Sequence, residues 1–272
     1  MLPAREPDET TGAGETRKPG ETSQKRAVSP MSGLLNPVVL RITLRATLGR
    51  KRALVFTLIP LVLLLITVAL KVVAKSPVWP AEFLGVFGFS VVLPLTALII
   101  GTSVLGAEID DGSIIHLLAT PVSRLSVVIS KFAAAAALTI LFGAIPEYLA
   151  AGIAKGFSDK LSIGLLTGAL VAAVAYNALF VMFSVLTTRA IAVGLIYLLV
   201  WEGLLGNLIG GVRVLSIGQY SVSVANAIAK TSALNAHLTS STAIIMAIVV
   251  TLVTLGIAAR RLSRFALKGE AV

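Results

Sequence analysis

Two acidic residues stand inside long apolar runs, where an ionisable side chain is costly and is therefore a candidate for function. Glu147 interrupts the run from residue 132 to 154, and Glu202 interrupts the run from 190 to 212. Neither run holds a histidine or a second acid. The clustered ligands of a metal site and the paired groups of an acid–base catalyst are therefore missing, and we expect neither a metal centre nor an enzyme.

The positions of the two acids along their helices predict different roles. At 1.5 Å per residue, Glu147 lies about 24 Å beyond Lys131, near the far end of its run, which favours a structural role. Glu202 lies about 20 Å beyond Arg189, beside Trp201, which could anchor or gate. We expect Glu202 either to touch a polar pathway between helices, or to pair locally or meet the segment that follows it.

Small and amide residues predict close contacts between helices. Gly164 and Gly168 have the spacing that lets two helices approach closely, as do Gly206 and Gly210. Asn177 is more often an interhelical hydrogen-bond donor than a ligand contact. The candidates for lining or gating a pathway are Glu202, Trp201, Glu147 and Asn177.

The composition shows which solvent surrounds these residues. Of 272 residues, 56% are apolar and only 13% are charged, with a mean hydropathy of +0.94, whereas soluble domains carry about 25% charged residues. So few charges cannot cover a water-soluble surface. The apolar runs are also as long as a bilayer is thick, so the chain is expected to be a membrane protein.

The apolar runs predict six transmembrane helices and an all-α, polytopic fold. Four uncharged runs can each cross the roughly 30 Å of hydrocarbon, and they cover residues 53–70, 83–107, 161–188 and 238–259. The two acid-containing runs are equally long. One acid costs about 2.5 to 3.5 kcal/mol at a helix centre, which a dozen aliphatic residues at about −0.3 to −0.6 kcal/mol each offset.

The remaining segments flank this six-helix domain, which covers residues 33–268. Residues 1–32 are rich in Pro, Gly and charged residues and predict a disordered cytoplasmic arm, and residues 269–272 form a short tail. Residues 34–52 predict an amphipathic helix at the inner interface, or alternatively a cytosolic extension of the first span. Residues 213–237 are too polar for a seventh span and predict short outer re-entrant or interfacial helices.

The distribution of basic residues predicts the topology. With both termini in the cytoplasm, 17 of the 23 basic residues lie on the inner side and only six lie outside, as the positive-inside rule requires. The outer six are Lys71, Lys75, Lys155, Lys160, Arg213 and Lys230. The net charge of +10 therefore reflects topology and contact with lipid, and we expect no nucleic-acid partner.

The inner loop between the second and third spans carries the most specific pattern. Residues 108–124 predict two helical pieces with a corner, in which Ser113 or a neighbouring aspartate caps the first piece, and Thr120 and Pro121 begin the second. Exposed aliphatic side chains on such a helix would fit a partner's groove. The alternative is a purely structural hairpin.

This loop resembles the signature of ABC-2 type transporter permeases. The resemblance rests on Glu108, the triplet Asp111-Gly112-Ser113, the pair Leu117-Leu118, the run Pro121-Val122-Ser123-Arg124, and Lys131. It extends to the six-span plan, the helix before the first span and the outer segment. The sequence departs from the signature at Ile109, where a basic residue is common, and at Ser113, which replaces a threonine.

The resemblance implies that this loop is a coupling helix that docks on a cytosolic ABC ATPase. The implied coupling residues are Glu108, Asp111, Gly112, Ile114, Ile115, Leu117, Leu118, Pro121, Arg124 and Lys131. The chain has no Gly-Lys dipeptide and so no phosphate-binding loop ending in Gly-Lys-Ser/Thr. ATP and magnesium would therefore bind the partner, and the chain itself would hold no cofactor.

The resemblance further implies a plasma-membrane exporter built from two permeases, as a homodimer or with a related chain. The alternative is a non-transporting mechanotransmitter or scaffold that acts on envelope proteins through the same ATPase. The sequence does not indicate the substrate, because an apolar cavity between helices leaves no local motif.

Overall fold

The computed structural model describes residues 40–41, 43–44, 47, 50–110, 124–206 and 210–269. These residues belong to one compact unit, Gly33–Val272. The predicted arm of residues 1–32 lies outside the described residues, as do the last three residues of the predicted tail.

Seven helices make up the part of the chain from residue 50 onward that the structure describes, and four of them are uninterrupted. These are α1 (Arg50–Val73), α4 (Lys160–Leu186), α6 (Ile217–Ala229) and α7 (Ser240–Gly269). The other three contain a π-helical stretch. Helix α2 runs through Trp79–Phe83, the π-helical Leu84–Val92, and Leu93–Asp110. Helix α3 runs through Arg124–Thr139, the π-helical Ile140–Ala144, and Ile145–Lys155. Helix α5 comprises Ala190–Ile196 and the π-helical Tyr197–Leu205.

Five of these helices are long and apolar enough to cross a membrane, namely α1, α2, α3, α4 and α7. They coincide with five of the six predicted runs, and the all-α, polytopic fold is confirmed. Helix α5 is shorter than predicted. Its seven α-helical and nine π-helical residues are fewer than the about 20 that a span usually needs. A 3₁₀ helix, Gly210–Leu215, occupies the end of that run. Its neighbouring glycines favour irregular backbone over a continued α-helix.

Helix α4 is the centre of the bundle. In its apolar window 72% of the residues are buried, against 22% in α1 and in α7. The peripheral helices expose large aliphatic side chains, including Leu65 and Leu252. Such continuous apolar surfaces suit a hydrocarbon solvent and not water.

Two glycines of α4 allow one neighbouring helix, α6, to approach it closely. A β-carbon on Gly164 or Gly168 would overlap the carbonyl oxygens of Ala225 or Ser221 on α6. Helix α6 therefore packs against α4 at backbone distance, as the small-residue spacing predicts. Of the other predicted pair, Gly206 has the carbonyl oxygen of Trp201, in its own helix, as its neighbour among the described residues.

The segment before α1 is helical at each of its described positions, which are residues 40, 41, 43, 44 and 47. Thr43 and Thr47 are buried, whereas Arg41 is exposed. The segment is therefore amphipathic, and its location at the membrane interface stays a prediction.

Candidate functional site

Lys131 joins the two helices that precede and follow residues 111–123 in the chain, a segment that we call the elbow. Lys131 lies in the first half of α3 and is 1% exposed. Its Nζ donates a hydrogen bond to the carbonyl oxygen of Val104 on α2 at 2.9 Å and lies 3.5 Å from Oγ1 of Thr43. A buried ammonium group is costly unless its protons are bonded. This contact therefore joins the first half of α3 to α2 and to the segment before α1.

Most predicted coupling residues lie outside the described residues. These are Asp111, Gly112, Ile114, Ile115, Leu117, Leu118 and Pro121. The backbone of Glu108 lies in the last turn of α2, and Arg124 begins α3. Of the predicted coupling set, Lys131 is thus the residue whose side-chain contacts the structure defines.

Glu147 lies in the second half of α3, just beyond its π-helical stretch. The side chain is fully buried, and neither carboxyl oxygen has a hydrogen-bond partner among the described residues. Its carboxyl group occupies the space that a β-carbon on Gly88 would fill. Gly88 belongs to the π-helical stretch of α2, so two π-helical regions meet at this acid.

Asn177 joins three helices at the middle of the bundle. From α4, its Nδ2 donates to Oγ1 of Thr139 on α3 at 2.8 Å and to the carbonyl oxygen of Ala173 at 2.7 Å. Its Oδ1 lies 3.1 Å from the position of a β-carbon on Gly101 of α2 and has no partner among the described residues. The predicted interhelical hydrogen bond is confirmed.

Glu202 connects the π-helical part of α5 to the start of α6. Its Oε1 accepts hydrogen bonds from the hydroxyl of Tyr197 at 2.9 Å and from the backbone N–H of Ile217 at 2.8 Å. Its Oε2 accepts from the hydroxyl of Ser216 and from the backbone N–H of Gly218 at 3.3 Å. The carboxylate therefore caps the first turn of α6, where unpaired N–H groups favour a negative charge.

Two further hydrogen bonds reinforce this connection. Nε1 of Trp201 lies 3.4 Å from the carbonyl oxygen of Leu215. Nε of Arg213 donates to the carbonyl oxygen of Gly206 at 3.2 Å. The sequence left three roles open for Glu202: lining a pathway, pairing locally, or contacting the segment that follows. Its hydrogen bonds to residues 216–218 match the third role.

The described residues bring the predicted polar side chains to four separate places and not to one centre. Within the described ranges, no three His, Cys, Asp or Glu side chains are grouped so that they could hold a metal ion. Each place instead joins helices: Lys131 and Glu147 each join α3 to α2, Asn177 joins α4 to α3, and Glu202 joins α5 to the start of α6.

Sequence reasoning missed the partners of these residues. For Glu202, a signal existed, because Ser216 and Gln219 have the spacing of a helix-capping box, and Ser216 does accept from the Gln219 N–H at 3.2 Å. That pattern marks the start of α6 but not the acid that approaches it. No pattern marked Gly88 among the 23 glycines as the neighbour of Glu147.

Comparison with known proteins assigns the family. No curated protein matches the chain. A family model described as ABC-2 family transporter protein matches residues 48–197. The match covers more than half of the 272 residues and contains the elbow, Lys131, Glu147 and Asn177. The chain therefore belongs to the ABC-2 family of transporter membrane proteins.

Proposed function

We propose that this chain is the membrane-spanning permease of an ABC exporter and transmits ATP-driven movement from a separate ATPase through its elbow. Family membership supports this role. In this proposal the aliphatic side chains of the elbow dock on the ATPase, which binds ATP and magnesium. A second permease, identical or related, completes the transporter.

The contact of Lys131 with Val104 is the observation that carries the proposal. A docked elbow can move the helices only if its two ends are rigidly attached to them. The buried Lys131 joins α3 to α2 about seven residues beyond the point where α3 begins, so force applied to the elbow would reach both helices together. The additional proximity to Thr43 extends this brace to the segment before α1.

The proposed topology has six membrane crossings and places both termini and the elbow in the cytoplasm. The charge asymmetry of 17 inner against six outer basic residues supports it. It requires α5, with the residues that follow it, to count as a crossing. A reporter tag inserted in the elbow tests the topology, since labelling of that tag from outside intact cells would reject it.

Docking is tested by the double substitution Leu117→Asp and Leu118→Asp. We expect the protein to insert normally and to lose copurification of its ATPase, because two charges replace the apolar docking surface. The matched control is Leu215→Asp, an exposed leucine in the 3₁₀ helix, which should leave copurification unchanged. Wild-type copurification by the double variant would reject the docking role.

Export itself is tested by ATP-dependent substrate flux in vesicles that contain the permease and its ATPase. Flux separates the exporter from the alternative mechanotransmitter, which would hydrolyse ATP in the same complex without moving a solute. An exporter and a mechanotransmitter would both need the ATPase to dock on the elbow. The docking experiment therefore applies to both functions.

A further inference from the structure

One cavity, at the turn between the end of α3 and the start of α4, has charged residues in its lining. It has a volume of about 420 Å³. Three parts of the chain enclose it: the turn between α3 and α4, the start of α2, and the end of α6. The lining residues are Pro77, Val78, Ala81, Lys155, Ser158, Asp159, Lys160, Leu161, Ala229 and Thr231.

Two lysines line this cavity from opposite sides of one tight turn. Lys155 ends α3 and Lys160 begins α4. Gly156 makes the turn possible with a φ of 107°, a conformation that side chains rarely allow. The Gly156 carbonyl oxygen accepts a hydrogen bond from the Ser162 hydroxyl at 2.7 Å. The hydrogen bond and the turn therefore fix the backbone that carries both lysines. Among the described residues, neither lysine has an ion-pair partner.

The acid in the cavity is already engaged. Oδ1 of Asp159 accepts from the backbone N–H of Leu161 at 2.8 Å, as the N-cap of α4. Ser158 adds a hydroxyl group to the lining. The exposed Lys230 lies between the lining residues Ala229 and Thr231 and adds positive charge to this end of the bundle.

Residue types that are common at membrane interfaces lie beside the cavity. Nζ of Lys71, at the end of α1, donates to the carbonyl oxygen of Ile153 near the end of α3, as a lysine does where a span leaves hydrocarbon. Trp79 begins α2 beside the lining residue Val78, and tryptophan is enriched at membrane interfaces. An interface at this level of the helices would bring the phosphate groups of phospholipids to the cavity.

We propose that this cavity binds a phosphate group through Lys155 and Lys160, and that the ligand is the headgroup of an anionic phospholipid. The volume suits a small headgroup, and the lysines supply the charge that anionic phosphodiesters attract. The placement in the outer leaflet rests on the proposed topology, whereas the site itself does not.

Titration of the purified full-length protein in neutral detergent, followed by native mass spectrometry, tests the site. The probes are dioctanoyl phosphatidylglycerol, dioctanoyl phosphatidylcholine and inorganic phosphate. We expect the wild type to prefer phosphatidylglycerol to phosphatidylcholine. We expect the double variant Lys155→Gln and Lys160→Gln to bind phosphatidylglycerol about tenfold more weakly.

Two variants serve as controls. Arg41→Gln with Arg189→Gln removes the same charge from exposed residues outside the cavity and should leave binding unchanged. Asp159→Asn keeps a good helix cap but removes the negative charge, and should tighten binding severalfold.

The proposal is overturned if the wild type binds both lipids equally, or if the double lysine variant binds phosphatidylglycerol as the wild type does. Displacement of phosphatidylglycerol by inorganic phosphate at equal concentration would overturn the lipid assignment and make the ligand a soluble phosphate. These measurements use neither the ATPase nor an oriented membrane. Failure of the docking or tag experiment would therefore leave them unaffected.

Discussion

The carboxyl group of Glu147 packs directly against the α-carbon of Gly88, with no space for a β-carbon between them. Glu147 is fully buried, and its oxygens have no hydrogen-bond partner among the described residues. Helices α2 and α3 are both π-helical near this contact, and π-helical insertions are frequent at functional sites. The contact therefore joins two irregular helices through the smallest and one of the most polar side chains available.

Gly88→Ala should destabilise the protein, because the added methyl group would overlap the carboxyl group of Glu147. Overpacking of this kind costs about 1 to 3 kcal/mol. The expected result is a lower melting temperature of the purified protein in detergent. Gly256→Ala is the control, since a β-carbon on Gly256 meets nothing within 4 Å.

A second substitution identifies the cause of the Gly88→Ala effect. Adding Glu147→Ala should recover part of the lost stability, because the methyl group on residue 88 then occupies space that the carboxyl group has left. If the double variant melts no higher than Gly88→Ala alone, the overlap with Glu147 is not the reason for the loss.

Glu147→Met should raise the melting temperature. Methionine has a similar length and removes two buried oxygens that lack partners, and each unsatisfied buried polar group costs about 1 to 3 kcal/mol. The exposed Glu82 provides the control, because Glu82→Met removes no buried polar atom and should not stabilise. A lower melting temperature for Glu147→Met would show that the carboxyl group has a stabilising partner.

The fold was predictable from the sequence wherever the length of an apolar run alone decides the structure. Five uncharged or nearly uncharged runs became α1, α2, α3, α4 and α7, because a long apolar helix in lipid satisfies its own backbone. Helix α5 was predicted too long. Its run contains Gly203, Gly206, Gly210 and Gly211, and hydropathy does not register the loss of helical regularity that these residues allow.

The contacts of the site were less predictable, because they depend on which faces of different helices meet. The spacing of Gly164 and Gly168 indicated close packing but not that α6 is the neighbour. The acids were identified as unusual, yet their surroundings are opposite: Glu202 accepts four hydrogen bonds, whereas Glu147 accepts none from the described residues. A single sequence does not encode that difference locally.

Glu202→Gln should weaken the attachment of α6 to α5. The amide keeps the size of the side chain but loses the negative charge that the N–H groups of Ile217 and Gly218 face. Hydrogen bonds to charged groups contribute about 1.5 to 3 kcal/mol, so hydrogen exchange at the start of α6 should accelerate by about tenfold or more.

The control for Glu202→Gln is Glu82→Gln, which neutralises an exposed acid in the first turn of α2. It should leave exchange in α6 unchanged. If Glu202→Gln alters substrate flux while exchange in α6 stays at the wild-type rate, Glu202 acts in the pathway and not as a cap of α6.

Lys131→Met should uncouple the elbow from the helices without removing the docking surface. Methionine fills a similar volume but cannot donate to the carbonyl oxygen of Val104, and a charged hydrogen bond of this kind contributes about 1.5 to 3 kcal/mol. We expect the ATPase to copurify as with the wild type, while ATP-dependent flux falls and hydrogen exchange near Val104 accelerates. Lys75→Met, at an exposed lysine, is the control. Full flux in the Lys131→Met variant would show that the brace is dispensable, because movement of the elbow would then reach α2 and α3 without it.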